Sequence, residues 1–310
     1  MDAIERVHGG MSRLKTALGR ALIGQEEVVD SLVAVALANG HALLEGVPGL
    51  GKTWLAQNFA RAAGLEYRRI QFTPDLMPGD VTGTQMIETT GGELRYRFSP
   101  GPVFANLLLA DEINRATPRT QSALLEAMQE RAVTAAGETH ELPRPFMVVA
   151  TQNPLEMEGT YPLPEAQLDR FLARVEVTRP TPATLRKVLD AGVIPMSPKI
   201  LGENDLRDFQ EVAQAVPVSG PVLDFVTNLV EATHRHKSVR YGVSPRGAQG
   251  LVALAKAFAL LDARPFVTTA DVTHAIPLVG AHRLILTFEA ELEGQKPLEI
   301  LSEITAGVKP

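Results

Sequence analysis

The sequence predicts an α/β core with a mainly parallel sheet, followed by a smaller all-helical domain. Over the first two-thirds of the 310 residues, short apolar runs alternate with helical patterns, and this order of elements is typical of a parallel sheet covered by helices. A proline-marked boundary follows at residues 180–182, and only helical patterns continue beyond it. We therefore expect a core over residues 1–182 and a helical domain over residues 183–310, since a chain of this length favours two domains.

The elements of the core follow from the apolar pattern. The strand candidates are His41–Glu45, Arg69–Phe72, Leu107–Ala110, Phe146–Ala150 and Val175–Val177. Helical patterns lie near residues 25–38, 52–63 and 118–131. The last of these helices has a good start signal, with Thr117 at the N-cap and Pro118 at the first helical position. In the second domain we expect helices over residues 183–191, 204–215, 220–236, 245–262 and 269–281.

Two stretches interrupt the alternation of the core. Residues 84–98 and 132–142 each place a short β-like run on both sides of a glycine turn, which predicts two β-hairpins inserted into the α/β frame. Decorative loops without a function are the alternative, which the sequence alone slightly favours. Tyr96 and Phe98 on the first hairpin are candidates for gripping a substrate or for anchoring the hairpin to its own domain, and anchoring is slightly favoured.

Composition limits the class of protein. The net charge of −6 and the pI near 5.7 exclude a global basic field that would gather nucleic acid or anionic membrane. The basic run at residues 235–240 indicates a solvated loop, with contact to nucleic acid as a distant second interpretation. The chain has no cysteine, no secretory signal at its start and no apolar stretch near the ~20 residues that span a bilayer. We expect a cytoplasmic protein without a membrane span.

A phosphate-binding pattern is complete. Residues 46–53, GVPGLGKT, fit G-x-x-x-x-G-K-[ST] between a plausible strand and a plausible helix. Glycines let the backbone N–H groups point at a phosphate, and the helix N-terminus adds a positive dipole end. Lys52 supplies a charge at the β- and γ-phosphates, and the Thr53 hydroxyl is a hard ligand for Mg²⁺. The pattern predicts an ATP site formed by Gly46, Val47, Pro48, Gly49, Leu50, Gly51, Lys52 and Thr53.

Two adjacent carboxylates end an apolar strand. Residues 107–112 read LLLADE, and the carboxyl end of a strand is where open α/β sheets place their ligands. Asp111 is suited to hold Mg²⁺ directly or through water, and Glu112 to orient and deprotonate an attacking water. Adjacent carboxylates repel each other, so the pair requires a cation nearby.

These motifs together resemble a known family. GVPGLGKT, LLLADEINRA, ATQNP, EGTYPLPEAQLDRF and GVSPRG occur in an order and spacing that resemble a MoxR-family AAA+ ATPase. The match covers nearly the whole chain, and the two hairpins resemble those of the AAA+ branch shared with magnesium-chelatase and MCM subunits. The resemblance implies a P-loop AAA+ core with hairpin insertions and an all-helical lid. One departure is Val243, where the family often has alanine.

The resemblance also implies roles for residues that carry little signal alone. By themselves, Asn153 would indicate a turn and Arg170 a surface cation. In the family pattern Asn153 is the sensor-1 residue beside the catalytic carboxylate, and Arg170 is the arginine finger for the ATP of a neighbouring subunit. Arg246 matches the sensor-2 arginine, and its place in the first turn of a helix, after Pro245, would oppose the helix dipole unless a phosphate binds there. Gln25 matches a segment that flanks the adenine.

The function implied is Mg²⁺-dependent ATP hydrolysis by a homo-oligomeric ring, hexameric by resemblance. Movement of the lid against the core would drive chaperone-like remodelling of a protein client in complex assembly, maturation or metal-centre insertion. A separately encoded von Willebrand factor A domain protein is the implied partner, and nucleic acid is not expected as a partner.

Three alternatives remain open at this point. A chelatase motor subunit would share the whole ATP site and respond to a porphyrin-handling partner. A DNA motor is disfavoured by the acidic pI, and DNA-stimulated, salt-sensitive hydrolysis would revive it. A scaffold switched by nucleotide binding would need neither Glu112 nor Asn153.

Overall fold

The computed structural model describes residues 2–90, 93–135, 137–154, 159–202 and 204–309. The helices and strands up to the end of the core are α1 (Asp2–Ala21), α2 (Glu26–Leu37), β1 (Ala42–Glu45), α3 (Lys52–Ala62), β2 (Tyr67–Gln71), α4 (Pro78–Thr82), β3 (Gly83–Thr90), β4 (Glu93–Pro100), β5 (Leu107–Asp111), a 3₁₀ turn (Ile113–Arg115), α5 (Pro118–Glu130), β6 (Ala132–Ala135), β7 (Glu138–Glu141), β8 (Met147–Gln152), α6 (Glu165–Leu168) and β9 (Ala173–Glu176). Those that follow are α7 (Pro182–Ala191), α8 (Asp205–Ala215), α9 (Gly220–Arg235), β10 (Val239–Tyr241), α10 (Pro245–Leu261), α11 (Thr269–Gly280), β11 (Ile285–Leu286), α12 (Phe288–Leu292) and α13 (Pro297–Gly307).

The core is a five-stranded sheet in the order β2-β5-β8-β1-β9, with every neighbouring pair parallel. All five predicted strands are present, with ends that shift by a few residues. Alternate residues of the strands face two apolar clusters, so that Leu44 and Leu109 belong to one cluster and Leu43 and Leu108 to the other. Because both faces are covered, the strands read as continuous apolar runs. The predicted parallel α/β core is confirmed.

Helix α1 was not predicted from the sequence. Its buried residues Val7, Met11, Leu14 and Leu18 recur at helical spacing, but glycines at positions 9 and 10 lower the helix propensity of the segment. Gly10 has a packing reason: a Cβ there would lie 2.6 Å from the ring of Phe209 in α8. The short helices α12 and α13 are likewise absent from the predicted set.

Both predicted hairpins are present as antiparallel pairs, β3 with β4 and β6 with β7. Residues 91–92 of the first turn and residue 136 of the second lie outside the described part of the chain. Phe98 stacks on His140 of β7 with ring centroids 4.2 Å apart and meets Phe104 edge-on, so its anchoring role is confirmed. For Tyr96 the anchoring prediction is wrong, because this residue is 72% exposed.

The lid is helical, with one correction to the all-helical prediction. Strands β10 and β11 form a small antiparallel sheet in which Val239 pairs with Leu286. Part of the basic run 235–240 therefore lies in a strand rather than in a solvated loop. Both strands are too short to show alternation in sequence, and the buried side chains of Val239 and Leu286 hold them together.

The lid and the core pack against each other through one apolar cluster. The larger apolar cluster combines residues of α1, α2 and α3 with residues of α8, α9, α10 and α11. Helix α7 begins at Pro182 after the N-cap Thr181, close to the expected boundary. The division at residue 182 itself stays a prediction.

Candidate functional site

The phosphate-binding loop lies at the carboxyl end of β1. Gly49 and Gly51 both have φ of +83°, a left-handed conformation that glycine adopts without strain. Gly46 lies so close to the end of β9 that a Cβ at this position would be 2.5 Å from the carbonyl oxygen of Val177. The loop leads directly into α3, which begins at Lys52. Its geometry therefore directs a helix N-terminus toward the space above the loop, as an anion site requires.

Lys52 lies over this loop. Its Nζ donates to the carbonyl oxygens of Gly46 and of Val47, the latter at 3.2 Å. Burial lowers the pKa of Lys52, and the charges of Asp111 and Glu112 oppose this change. The lysine therefore supplies a partly desolvated positive charge between the loop and the two carboxylates.

Asp111 ends β5 as the centre of a hydrogen-bond cluster. Its Oδ1 accepts the Thr151 hydroxyl at 2.6 Å, and its Oδ2 lies 3.3 Å from the hydroxyl of Thr53. Arg69 of β2 also binds Oδ2 through Nη2 at 2.7 Å and Nε at 3.0 Å. The Thr53 hydroxyl and the Asp111 carboxylate are adjacent hard oxygen donors, so the pair fits Mg²⁺, which usually takes one or two protein ligands and completes its shell with water and phosphate.

Glu112 is held in a strained backbone conformation. Its φ is +56°, in the left-handed region that non-glycine residues rarely occupy. The Glu112 N–H donates to the Thr151 hydroxyl at 2.8 Å, and the carboxylate accepts Gln71 Nε2 at 2.7 Å and pairs with Arg115 Nε at 3.1 Å. The turn directs the carboxylate away from the path of the strand and toward the loop.

These groups line one cavity of about 440 Å³. The cavity brings together the predicted loop residues from Pro48 to Thr53 with Asp111, Glu112 and Asn153. Asn153 follows the end of β8, next to β5, so two neighbouring strands deliver the carboxylates and the amide to the same edge of the sheet.

Arg170 and Arg246 lie elsewhere, together in a second cavity of about 360 Å³. Arg170 Nη1 donates to the carbonyl oxygen of Leu125 at 2.7 Å, and Arg246 Nη2 lies 3.5 Å from Gln129 Oε1. Both partners belong to α5. The structure therefore groups these two arginines with each other and separates them from the P-loop cavity.

The second cavity lies at the amino-terminal edge of the sheet. His41 precedes β1 and Leu172 precedes β9, and the Leu172 N–H donates to the His41 carbonyl at 2.9 Å. The P-loop follows the other end of β1. His41 and Gly46 are five residue steps apart, and a rise of ~3.3 Å per step along a strand gives a separation of about 16 Å. Arg170 and the P-loop of the same chain are thus on opposite edges.

Gly24 and Gln25 line a third cavity of about 410 Å³ between the α1–α2 turn, the end of β9 and α11. Gln25 Nε2 donates to the Thr178 carbonyl at 3.2 Å. Glu45 pairs with Arg174 at 2.8 Å nearby, and burial raises the pKa of Glu45 while Arg174 opposes this. The cavity lies near the P-loop. Glu176 and Thr178 line it on either side of Val177, and a Cβ at Gly46 would lie 2.5 Å from the Val177 carbonyl oxygen.

Comparison with known proteins agrees with this geometry. The sequence profile of the ATPase family associated with various cellular activities (AAA) matches residues 41–173, and that of the AAA lid domain matches residues 231–304. The chain is 43% identical to the chaperone MoxR1 of Mycobacterium tuberculosis over 92% of this chain and 78% of that protein. The chain belongs to the MoxR family of AAA+ ATPases. It is also 41% identical to the uncharacterized protein YeaC of Bacillus subtilis, over 98% and 96% of the two chains. The crystal structure of an ATPase candidate from Cytophaga hutchinsonii superposes with a TM-score of 0.91 at 35% identity, covering 99% and 97% of the two chains.

These comparisons confirm the predicted family, the AAA+ fold with its lid, and ATPase activity with nucleotide binding. No helix in the described part of the chain combines the length and apolar character that a membrane crossing requires.

Sequence reasoning missed several residues of the MoxR-family site. Arg69 and Thr151 bind the Asp111 carboxylate, and Gln71 binds the Glu112 carboxylate. Thr151 also accepts the backbone N–H of Glu112. Arg69 and Gln71 alternate on β2, and Gln71 stands in register with Asp111. Their spacing of two residues places both side chains on one face of β2. It would indicate contacts with the two carboxylates only if the pairing of β2 with β5 were already known.

Proposed function

We propose that this MoxR-family protein hydrolyses ATP with Mg²⁺ at sites shared between neighbouring copies of the chain in a ring. The observation that carries this proposal is the separation of the two cavities to opposite edges of the sheet. A head-to-tail contact would bring the arginine edge of one copy against the P-loop edge of the next. Repeating such a contact closes a ring when the rotation between copies divides a full turn. A hexamer is the ring size that the family resemblance favours.

One half of the site comes from the P-loop edge. Residues 46–53 would bind the phosphates, with Lys52 at the β- and γ-phosphates. Mg²⁺ held by Thr53 and Asp111 would neutralise phosphate charge. Glu112 would accept a proton from the attacking water, and Asn153 would hold that water in line.

The other half comes from the arginine edge of the adjacent copy. A planar guanidinium suits the spread charge of a transferring phosphoryl group, so Arg170 would stabilise the transition state. Arg246 lies in the same cavity as Arg170, which supports its use in the same neighbouring site. The lid and the core, divided near residue 182, would move with the nucleotide state.

The work of this ATPase would be remodelling of a protein client, with a von Willebrand factor A domain protein as the partner. The name of the relative MoxR1, a chaperone, supports a chaperone-like use. Assembly or maturation of a complex, or insertion of a metal centre, is the class of task proposed.

Mixing two inactive variants tests the shared site. Glu112→Gln keeps Arg170 but lacks the base, and Arg170→Ala keeps Glu112 but lacks the finger. Each alone should hydrolyse ATP at a rate at least ~10²-fold below wild type. A mixture that exchanges subunits should recover part of the rate, because some interfaces then combine an intact Glu112 with an intact Arg170.

Native mass spectrometry would establish that mixed oligomers have formed. An absence of recovery in confirmed mixed oligomers would overturn the shared site. ATP hydrolysis measured against Mg²⁺ concentration, with EDTA as the control, tests the metal dependence in the same preparations.

A further inference from the structure

One buried arginine attaches the segment that carries Arg170 to the lid. Arg283 follows helix α11, and its side chain is only 3% exposed. Its Nε donates to Asp169 Oδ1 at 2.7 Å. Its Nη2 donates to the carbonyl oxygens of Asp169 at 3.0 Å and Phe171 at 2.7 Å, and its Nη1 donates to that of Leu172 at 3.2 Å. A single guanidinium therefore binds the residues on both sides of Arg170.

The same aspartate also holds the helix that carries Arg246. Ser244 Oγ donates to Asp169 Oδ1 at 2.9 Å and accepts the N–H of Gly247 at 3.0 Å. This hydroxyl is the N-cap of α10, and Arg246 is the second residue of that helix. Asp169 Oδ1 thus accepts hydrogen bonds from both Arg283 and Ser244, the N-cap of α10.

The surroundings of Arg283 leave little freedom of movement. A Cβ at Gly247 would lie 2.7 Å from Arg283 Cδ, so the arginine passes directly over this glycine. Burial lowers the pKa of Arg283 and Asp169 opposes this, but an arginine stays charged at all working pH values. A buried ion pair of this kind fixes geometry more reliably than it adds stability.

We propose that Arg283 is a positioning residue for ATP hydrolysis. By holding residues 169–172 and the start of α10, it keeps Arg170 and Arg246 at one fixed separation on the face offered to the neighbouring copy. The lid and residues 169–172, which we call the finger segment, then move as one unit when the nucleotide state changes. This inference rests on the shared site proposed above.

The test uses Arg283→Lys, which keeps the charge but cannot reproduce a planar fork that binds several oxygens. We expect wild-type ATP affinity and an ATPase rate about 10²-fold lower, as for a small misplacement of a catalytic group. Mixed with Glu112→Gln, it should recover activity, because its own P-loop edge is intact and the partner supplies a well-placed finger. Mixed with Arg170→Ala it should not recover, since neither copy then supplies a working finger.

Arg264→Lys is the matched control. Arg264 makes a comparable paired contact with Asp271 within the lid, with nitrogen–oxygen distances of 2.7 and 2.5 Å, but it contacts no residue of the finger segment. Its ATPase rate should stay within about twofold of wild type. A purely structural role for Arg283 predicts instead that both lysine variants lose activity in step with their loss of thermal stability.

Several outcomes would overturn the inference. Recovery of Arg283→Lys with Arg170→Ala, or an unchanged rate in Arg283→Lys alone, would show that Arg283 does not position the finger. If Arg283→Lys fails to fold, Asp169→Asn serves as the second variant with the same expected pattern, and failure of both to fold would make the contact structural. Failure of the Glu112→Gln and Arg170→Ala pair to recover would instead remove the shared site, and this inference with it.

Discussion

The two edges of the central sheet build their sites in different ways. At the carboxyl edge, one continuous segment of eight residues, 46–53, supplies the phosphate cradle, largely through backbone groups. At the amino edge, Arg170 and Arg246 come from segments far apart in the sequence and share a cavity because Asp169 and Arg283 hold those segments together. The first site depends on local conformation and the second on tertiary contacts. Substitutions should therefore affect the two edges differently.

The largest expected effect separates binding from hydrolysis. Arg170→Ala should lower kcat by about 10³–10⁵-fold, because the guanidinium would act on the transition state. It should leave the Kd for ATP near its wild-type value, because Arg170 does not line the P-loop cavity of its own chain. Lys52→Ala should weaken ATP binding itself. Calorimetric titration with a nonhydrolysable ATP analogue, beside steady-state hydrolysis, measures both quantities.

Arg186→Ala is the control for removing a positive charge, because Arg186 is 83% exposed on α7. It should leave both constants unchanged. Loss of ATP binding in Arg170→Ala would contradict the separation of the two edges.

A second substitution probes the carboxyl edge. Asn153→Ala should lower kcat by about 10²–10³-fold, as for removal of one hydrogen-bonding group at a developing charge, with little change in the Kd for ATP. If Asn153 only stabilised a turn, the variant would have a lower Tm and a normal kcat. Hydrolysis rates and thermal unfolding of the same sample distinguish these two roles.

The amino edge should make stability depend on pH through His41. Burial, followed by the charge of Arg131, lowers the pKa of His41 to about 3, against 6.5 for the free side chain. The folded protein therefore disfavours the proton that the unfolded chain accepts, and the stability that neutral His41 provides is present above pH 6.5 and is lost progressively as the pH falls toward 3. Between pH 7 and pH 5 this loss should be ~2 kcal/mol.

Urea unfolding of wild type and His41→Gln at both pH values measures the effect. The variant will have lost some stability at every pH, so the informative quantity is the difference between the two pH values. An equal difference in both proteins would mean that His41 does not contribute to it.

The smallest effect concerns Arg69, which binds the carboxylate expected to hold Mg²⁺. Arg69 is about half-exposed, with 47% of its side chain accessible, so its interaction with Asp111 should be worth ~1 kcal/mol at most. Arg69→Gln should lower the Mg²⁺ concentration needed for half-maximal hydrolysis by up to about fivefold. The exposed neighbour Arg68, which pairs with Glu66, provides the control as Arg68→Gln. A higher Mg²⁺ requirement in Arg69→Gln would mean that Arg69 supports the metal site instead of competing for it.

Much of the site at the carboxyl edge could be predicted from the sequence, because its residues follow short local patterns. The pattern of residues 46–53 fixes the positions of the glycines, the lysine and the hydroxyl. The apolar run before Asp111 predicts a strand that ends at the two carboxylates. Arg69 was placed in a predicted strand, but its contact with Asp111 was not predicted. That contact depends on β5 lying beside β2, and strand order is a tertiary property. The small sheet of β10 and β11 was also not predicted, but for a different reason, because neither strand is long enough to show an alternating pattern.

The sequence by itself determined the alternation of strands and helices, the nucleotide-binding loop and the family, because each of these depends on residue types at short, fixed spacings. Only the tertiary structure decided that Arg170 and Arg246 share one cavity, that this cavity lies on the edge opposite the P-loop, and that Arg283 joins the lid to the finger segment. The physical reason is that a buried guanidinium satisfies its donors with whichever carbonyl and carboxylate oxygens the fold brings within reach. The oxygens of Asp169, Phe171 and Leu172 lie more than a hundred residues away from Arg283 along the chain, so no local sequence pattern predicts these contacts.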